Sequence, residues 1–175
     1  MAAGRAAEFE VLYERHSRAA WALVYARWLD AELARDSVQE AFLRLWRAWD
    51  AGERIDNPAG WILRVARNLA DDTMKSAFRR HGTRAPASLN GVVSHEPAPL
   101  DRLEQAETFA RLKAHLRDLP ENDRAILTLR YSFGYDARRI ADELGIQPSA
   151  VLMRLSRARQ RLAEILIEHG VISRP

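Results

Sequence analysis

The sequence predicts an all-α protein: two small helical domains joined by a flexible linker, the second containing a helix-turn-helix. Three observations carry that expectation. Apolar residues recur at helical spacing in both halves, and no strand-type alternation survives inspection. Between Ser76 and Leu100 the composition shifts to Arg79, Arg80, His81, Gly82, Arg84, Pro86, Gly91, Pro97 and Pro99, with too few apolar side chains to offset the entropy of ordering. From Asp136 to Leu162 the chain carries the punctuation of two helices about a tight turn. The expected domains are residues 1–80 and 102–175, with a linker over 81–101.

Composition narrows the class further. A chain of 175 residues holds one compact domain or two small ones, and 47% hydrophobic with 29% charged residues is ordinary for a globular protein. No apolar run reaches the roughly 18 residues of a membrane span, so none is expected. Met1 to Glu10 is Ala-rich but carries Glu8 and Glu10 and no apolar core, unlike a secretory signal. The absence of cysteine excludes disulfides and Cys-ligated zinc and fits a reducing cytoplasm, the expected location. His16, His81, His95, His115 and His169 are scattered, without metal-ligand spacing or a nucleophile–base pairing. Hence no catalytic residue, metal or cofactor is expected. The net charge of +3 does not by itself mark a nucleic-acid binder. Its placement is more telling: Gln147 to Leu162 holds Arg154, Arg157, Arg159 and Arg161 and no acid.

In the first domain, Phe9, Leu12 and Tyr13 open a helix that continues through Trp21, Leu23, Val24 and Trp28. Leu33 to Trp49 forms the second. On a wheel of about 100° per residue, Val38, Ala41, Phe42, Leu45 and Trp49 cluster as core, while Asp36, Glu40, Leu43 and Arg47 lie opposite, with Gln39 at the edge. That outer face is either solvated surface with one stray leucine or a polar docking stripe anchored by Leu43. Asp50 to Asn57, with Gly52, is a loop, and Asn57 caps a third helix entered through Pro58. Trp61, Ile62, Val65 and Leu69 are its expected buried side. Arg64, Arg67, Asp71 and Lys75 share the other side with Asn68 beside them, and Arg79, Arg80 and Arg84 extend the basic surface. Such a face suits a phosphate backbone, though Asp71 and Asp72 interrupt it.

The second domain is expected to be helical from Leu103 to Leu119, with Pro120 as the stop. Asp136 then offers a side-chain oxygen to cap a helix, Ile140, Ala141 and Leu144 follow at helical spacing, and Gly145 suits the left-handed residue that ends it. Ile146 bridges to Pro148, whose missing amide is no loss in a first turn. In the next helix, Ser149 to Leu162, the buried side is Val151, Leu155, Ala158 and Leu162; Ser149, Met153, Ser156 and Gln160 lie opposite, flanked by Leu152 and Arg157. A basic helix behind a tight turn is the arrangement of a major-groove reader.

Taken together, these stretches resemble bacterial RNA polymerase sigma factors of the extracytoplasmic-function group. Asp36 to Trp46 (DSVQEAFLRLW) is similar to the segment by which that family docks on core polymerase. Asn57 to Asp72 is similar to the segment that melts and reads the downstream promoter element. Leu119-Pro120, Arg124, Leu127, Leu129-Arg130-Tyr131, Gly134, Ile140-Ala141, Leu144-Gly145-Ile146, Arg154-Leu155 and Arg157-Ala158-Arg159 resemble the module for the upstream element. The resemblance implies that Asp36, Gln39, Glu40, Leu43 and Trp46 bind polymerase. It implies DNA contacts from Arg64, Arg67, Asn68, Lys75, Arg79 and Arg80, with the Asp50 to Asn57 loop as the pocket for a flipped base, and from Arg138, Arg139, Ser149, Leu152, Met153, Arg154, Ser156 and Arg157 at the upstream element. The implied partners are core RNA polymerase, promoter DNA and, for many members, an anti-sigma factor; no catalytic group is implied.

The chain departs from the family pattern in the recognition helix, where Ala150, Leu152 and Met153 replace the common Thr, Lys and Ser, and before it, where Arg138 and Arg139 replace glutamates. Arg139 therefore cannot close a capping box with Asp136. Two other readings compete. A plain helix-turn-helix regulator accounts for Asp136 to Leu162 but leaves the Asp36 to Trp46 stripe and the Trp61 to Lys75 face unused. A partner-binding scaffold suits Leu152 and Met153 but not Arg154, Arg157 and Arg161.

Overall fold

A computed structural model describes residues 2–81 and 114–173 of the chain. The chain divides into two compact units, Met1–Asn90 and Gly91–Pro175, each considered by itself. The described residues are helices and turns, with no strand among them. The expected linker over 81–101 lies outside the described residues except for His81, as does the expected helix before Ala114.

The first unit packs α1 (Ala2–Trp28), α2 (Ala31–Asp50) and α3 (Pro58–His81) against one another. Helix α1 begins at Ala2 rather than near Phe9, as its alanines favour helix without needing burial. Much of the seam is alanine: Ala19, Ala20, Ala22 and Ala26 of α1, Ala34 and Ala41 of α2, and Ala66 and Ala70 of α3 are all buried. Small side chains let backbones approach closely, and Val24, Phe42, Leu45 and Ile62 fill the space between them. The expected buried side of α3 is corrected accordingly. Ile62 is fully buried, but Trp61, Val65 and Leu69 are only half-buried, and Ala66, Ala70 and Met74 continue the seam.

Leu29 turns the chain between α1 and α2 in a left-handed conformation, φ 53°. A leucine there costs roughly 1 kcal/mol. Its side chain is buried, and its amide bonds the Tyr25 carbonyl at 2.7 Å, which together offset the strain. Asp30 then caps α2, accepting from the Leu33 amide at 2.9 Å. Residues Ser76 to Arg80, where the composition begins to shift, continue α3 as far as His81. No Gly or Pro interrupts them, and Arg79 and Arg80 sit in the last turn, where the helix dipole favours cations.

In the second unit, residues 114–116 are helical and turn at 117–119 into α4 (Glu121–Leu127). A π-helical turn, Thr128–Ser132, follows, and then α5 (Ala137–Leu144) and α6 (Pro148–Glu168). Leu119, Ile126, Leu129, Tyr135, Ile140, Val151, Leu155 and Ala158 are buried together. Arg124 Nη1 donates to the carbonyls of Leu116, Arg117 and Leu119, satisfying the orphan acceptors of the turn. No helix among the described residues is long and apolar enough to cross a membrane.

Candidate functional site

Helix α2 turns Val38, Ala41, Phe42, Leu45 and Trp49 inward, leaving Asp36, Gln39, Leu43, Trp46 and Arg47 exposed. Leu43 is 43% and Trp46 39% exposed, so two large apolar groups stand on an otherwise polar face. Trp46 packs edge-on against Phe9, ring centroids 5.2 Å apart. Glu40 accepts from Arg44 Nε at 2.9 Å and has Arg47 at 3.7 Å. The Arg44 hydrogen bond, opposed by desolvation and aided by both guanidinium charges, holds the Glu40 carboxyl below its ordinary pKa. Glu40 is thus already partnered within its own helix, and Leu43 and Trp46 are the prominent exposed apolar area of the stripe.

Helix α3 is entered as its sequence implies: Asn57 Oδ1 accepts from the Gly60 amide at 2.9 Å. A Cβ at Gly60 would meet the Asn57 side chain at 2.9 Å, so the cap and the glycine are matched. Arg64, Arg67, Asn68, Lys75, Arg79 and Arg80 are all exposed. Asp71, expected among them, is not on that face. Its carboxylate takes Arg27 Nε at 2.6 Å, Arg27 Nη2 at 3.1 Å and Trp28 Nε1 at 3.0 Å, turning it toward α1. Asp72 is the acid that remains, 3.9 Å from Lys75 Nζ. The preceding loop exposes Glu53, Arg54, Asp56 and Asn57, with Arg54 and Asp56 paired at 3.1 Å. Arg84 lies outside the described residues.

The helix-turn-helix forms at the residues that announce it. Asp136 accepts from the Arg139 amide at 2.7 Å, Gly145 closes α5 at φ 64° and ψ 36°, and Pro148 occupies the first turn of α6. Val151, Leu155 and Ala158 are buried, while Ser149, Leu152, Met153, Arg154, Ser156 and Arg157 are exposed together. Leu152 is 59% and Met153 53% exposed, the least covered apolar groups on this helix. Arg138 is exposed. Arg139 is anchored: its guanidinium lies 3.9 Å from the Tyr135 ring centroid and donates to the Tyr135 hydroxyl at 3.1 Å. Arg161 pairs with buried Asp123 and bonds α6 to α4, so its role is structural. Replacing Asp136 by Ala removes the cap and is expected to destabilise the second unit by about 1 kcal/mol. Faster exchange of the Arg139 amide, measured by NMR, checks it; unchanged protection would show that the cap contributes nothing.

Several contacts escaped the sequence reading. Asp30, placed directly before the amphipathic run of α2, was legible as a cap and was missed. The Arg27–Asp71 and Asp123–Arg161 pairs join residues 44 and 38 positions apart and left no local signal. The expectation that the histidines are scattered also needs correction. Folding brings His115, Asp118 and His169 together, with one donor atom of each within 4.8 Å of the others.

Comparison with known proteins accords with this geometry. The family model for sigma-70 region 2 matches residues 12–82, and that for sigma-70 region 4 matches residues 110–162. The chain is 33% identical over 175 residues to the ECF RNA polymerase sigma factor SigL of Mycobacterium tuberculosis, covering 97% of this chain and 95% of that protein. It is 32% identical over 144 residues to the probable RNA polymerase sigma factor RfaY of Xanthomonas campestris, covering 79% of this chain but only 35% of that longer protein. The crystallised sigma factor RpoE of Bartonella quintana, solved with the anti-sigma factor NepR, shares the fold at a TM-score of 0.53 and 21% identity, covering 95% of this chain and 99% of that one.

Proposed function

This chain belongs to the extracytoplasmic-function sigma factors of bacterial RNA polymerase, and on that premise we propose how its surfaces divide the work of binding core polymerase and directing promoter recognition, strand opening and initiation. The single observation that carries the division is the outer face of α2. There Leu43 and Trp46 stand exposed among Asp36, Gln39 and Glu40, with the core packed on the opposite side. A small apolar anchor inside a polar rim is the pattern of a protein-docking hot spot. This face binds core polymerase. A plain helix-turn-helix regulator would leave it without a role.

Arg64, Arg67, Asn68, Lys75, Arg79 and Arg80 of α3 face the downstream promoter element. Their charges track the phosphates, and Asn68 has both a donor and an acceptor for a base edge. The loop before α3 receives a flipped base, whose unstacking cost of a few kcal/mol is offset by contacts to its edge. With Asp71 turned away toward Arg27, this face is more uniformly basic than its sequence suggests. In the second unit, Arg138, Arg154 and Arg157 meet backbone phosphates, and Arg139, braced on Tyr135, presents its remaining donors beside them. Ser149 and Ser156 offer hydroxyls, while Leu152 and Met153 suit thymine methyl groups in the major groove. The boundaries that follow are residues 1–80 for docking and the downstream element, 81–101 for the linker and 102–175 for the upstream element. The polymerase performs the chemistry, so this chain acts without a catalytic residue, in the cytoplasm where the polymerase is. An anti-sigma factor able to cover the α2 and α6 faces is the further partner of this reading.

The test is transcription from duplex and fork-junction promoter libraries by purified core polymerase, with and without the chain. Specific initiation that requires the chain supports the reading; duplex binding without core binding or initiation would make it a plain regulator. Arg64→Ala with Arg67→Ala is expected to lower promoter-dependent transcription about tenfold. It should also flatten the log–log salt dependence by about 1.4, the share of two phosphate contacts on a single strand. Unchanged transcription would remove the promoter role from this face.

A further inference from the structure

We propose that His115, Asp118 and His169 form a binding site for one borderline divalent transition metal, with Zn2+ as the best-matched ion. His115 lies in the helical residues 114–116, Asp118 in the turn that follows, and His169 is the residue that closes α6. The imidazole centroids are 4.5 Å apart and tilted by 38°, and His169 Nε2 is 3.7 Å from Asp118 Oδ2. That last distance is too long for a hydrogen bond, so the pair is not locked by one. A tetrahedral zinc with bonds of about 2.0–2.1 Å spaces its donor atoms roughly 3.3 Å apart. The donors here already lie within 4.8 Å of one another, so the site closes by a contraction on the order of 1 Å. Asp118 and His169 are exposed and free to supply that movement, while His115 is half-buried.

The donor chemistry selects the ion. Two imidazole nitrogens and one carboxylate oxygen suit zinc or its neighbours rather than the all-oxygen shells of calcium and magnesium. Three protein ligands leave the fourth position to water. One feature of the surroundings favours a cation there, and another orders the turn that supplies two of the ligands. His169 sits at the C-terminal end of α6, where the helix dipole is negative. Arg124 binds the carbonyls of Leu116, Arg117 and Leu119, and so fixes the turn that carries His115 and Asp118 before the ion arrives. His169 also lies beyond residue 162, where the match to the region 4 family model ends. A bound ion ties the end of α6 to the segment that precedes α4.

Titration of the untagged, full-length chain with Zn2+ against a chromophoric chelator tests the site. One equivalent should bind saturably, and His169→Gln and Asp118→Asn should each weaken it at least about tenfold. His95→Gln should leave it unchanged. Co2+ in place of zinc should give the intense visible bands of a four-coordinate centre in the wild type and lose them in His169→Gln. Added Zn2+ should raise the Tm of the wild type and not that of His169→Gln, with equal helicity by circular dichroism showing that the variant is folded. Absence of saturable binding overturns the proposal, as does binding that survives His115→Gln with His169→Gln or that depends on His95.

Discussion

Leu43→Asp is expected to weaken binding to core RNA polymerase by more than about a hundredfold while leaving the fold of the chain intact. Leu43 is 43% exposed on the outer face of α2, and substitutions at such positions alter stability by only about ±0.5 kcal/mol. On the proposed reading, the same position would become the apolar centre of the docking face. There the substitution would remove a hot-spot side chain and carry a carboxylate out of water, with the neighbouring cations of α2 already engaged. Arg44 and Arg47, the nearest helical candidates, already share Glu40. Burying an unpaired charge costs about 3–5 kcal/mol, which is roughly two to three and a half orders of magnitude in Kd. Titrating labelled core polymerase with each protein measures the change, and promoter-dependent transcription should fall with it. Trp46→Ala should have a smaller effect of the same sign, since it removes area without adding charge. Equal affinities for Leu43→Asp and the wild type would move the docking surface off this helix.

The face carrying Leu43 was legible because the core residues of α2 recur at the helical period. Val38, Phe42, Leu45 and Trp49 fall on one arc at the helical period, so the remainder is outer surface by subtraction. The helix-turn-helix was legible for another reason. Asp136, Gly145 and Pro148 each answer a local backbone requirement that few residue types meet, and each does so in the structure. Helix α3 was harder because its seam is built on Ala66 and Ala70. Alanine buries little area and gives a weak hydrophobic signal, so the bulkier Trp61, Val65 and Leu69 drew the expected core toward the flank. The end of α3 was misplaced by the same reliance on apolar content: Ser76 to Arg80 are helical without being core. Asp71 lies at the border between the faces of α3, and only its distant partner, Arg27, decides which side it serves. The His115, Asp118 and His169 cluster was invisible for that reason too, since the closing of α6 onto the turn before α4 is a tertiary event.

That border residue carries a large stability effect for a polar side chain of the first unit. Asp71→Ala should destabilise it by about 2 kcal/mol. The Asp71 side chain is 18% exposed and accepts two hydrogen bonds from Arg27 and one from Trp28, joining α3 to the end of α1. Removing it takes away the acceptor that Asp71 supplies to the indole N–H and to a 31%-exposed guanidinium. Because Arg27 can still turn to water, the cost stays below the roughly 3–5 kcal/mol of a fully buried broken pair. All five tryptophans, at positions 21, 28, 46, 49 and 61, lie in the first unit, so urea unfolding followed by tryptophan fluorescence reports on it selectively. The pH dependence has a definite sign. Burial pushes the Asp71 carboxyl up, but the hydrogen bonds from Arg27 and Trp28 and the charges of Arg27 and Arg67 outweigh it and hold the pKa below the ordinary value of 3.8. A carboxylate depressed in the folded state contributes its stability above the unfolded pKa and loses it as pH falls through the folded one. The stability difference between wild type and Asp71→Asn should therefore be constant near neutrality and shrink only below about pH 4. A difference that persists undiminished into stronger acid would mean that Asp71 acts through packing rather than charge.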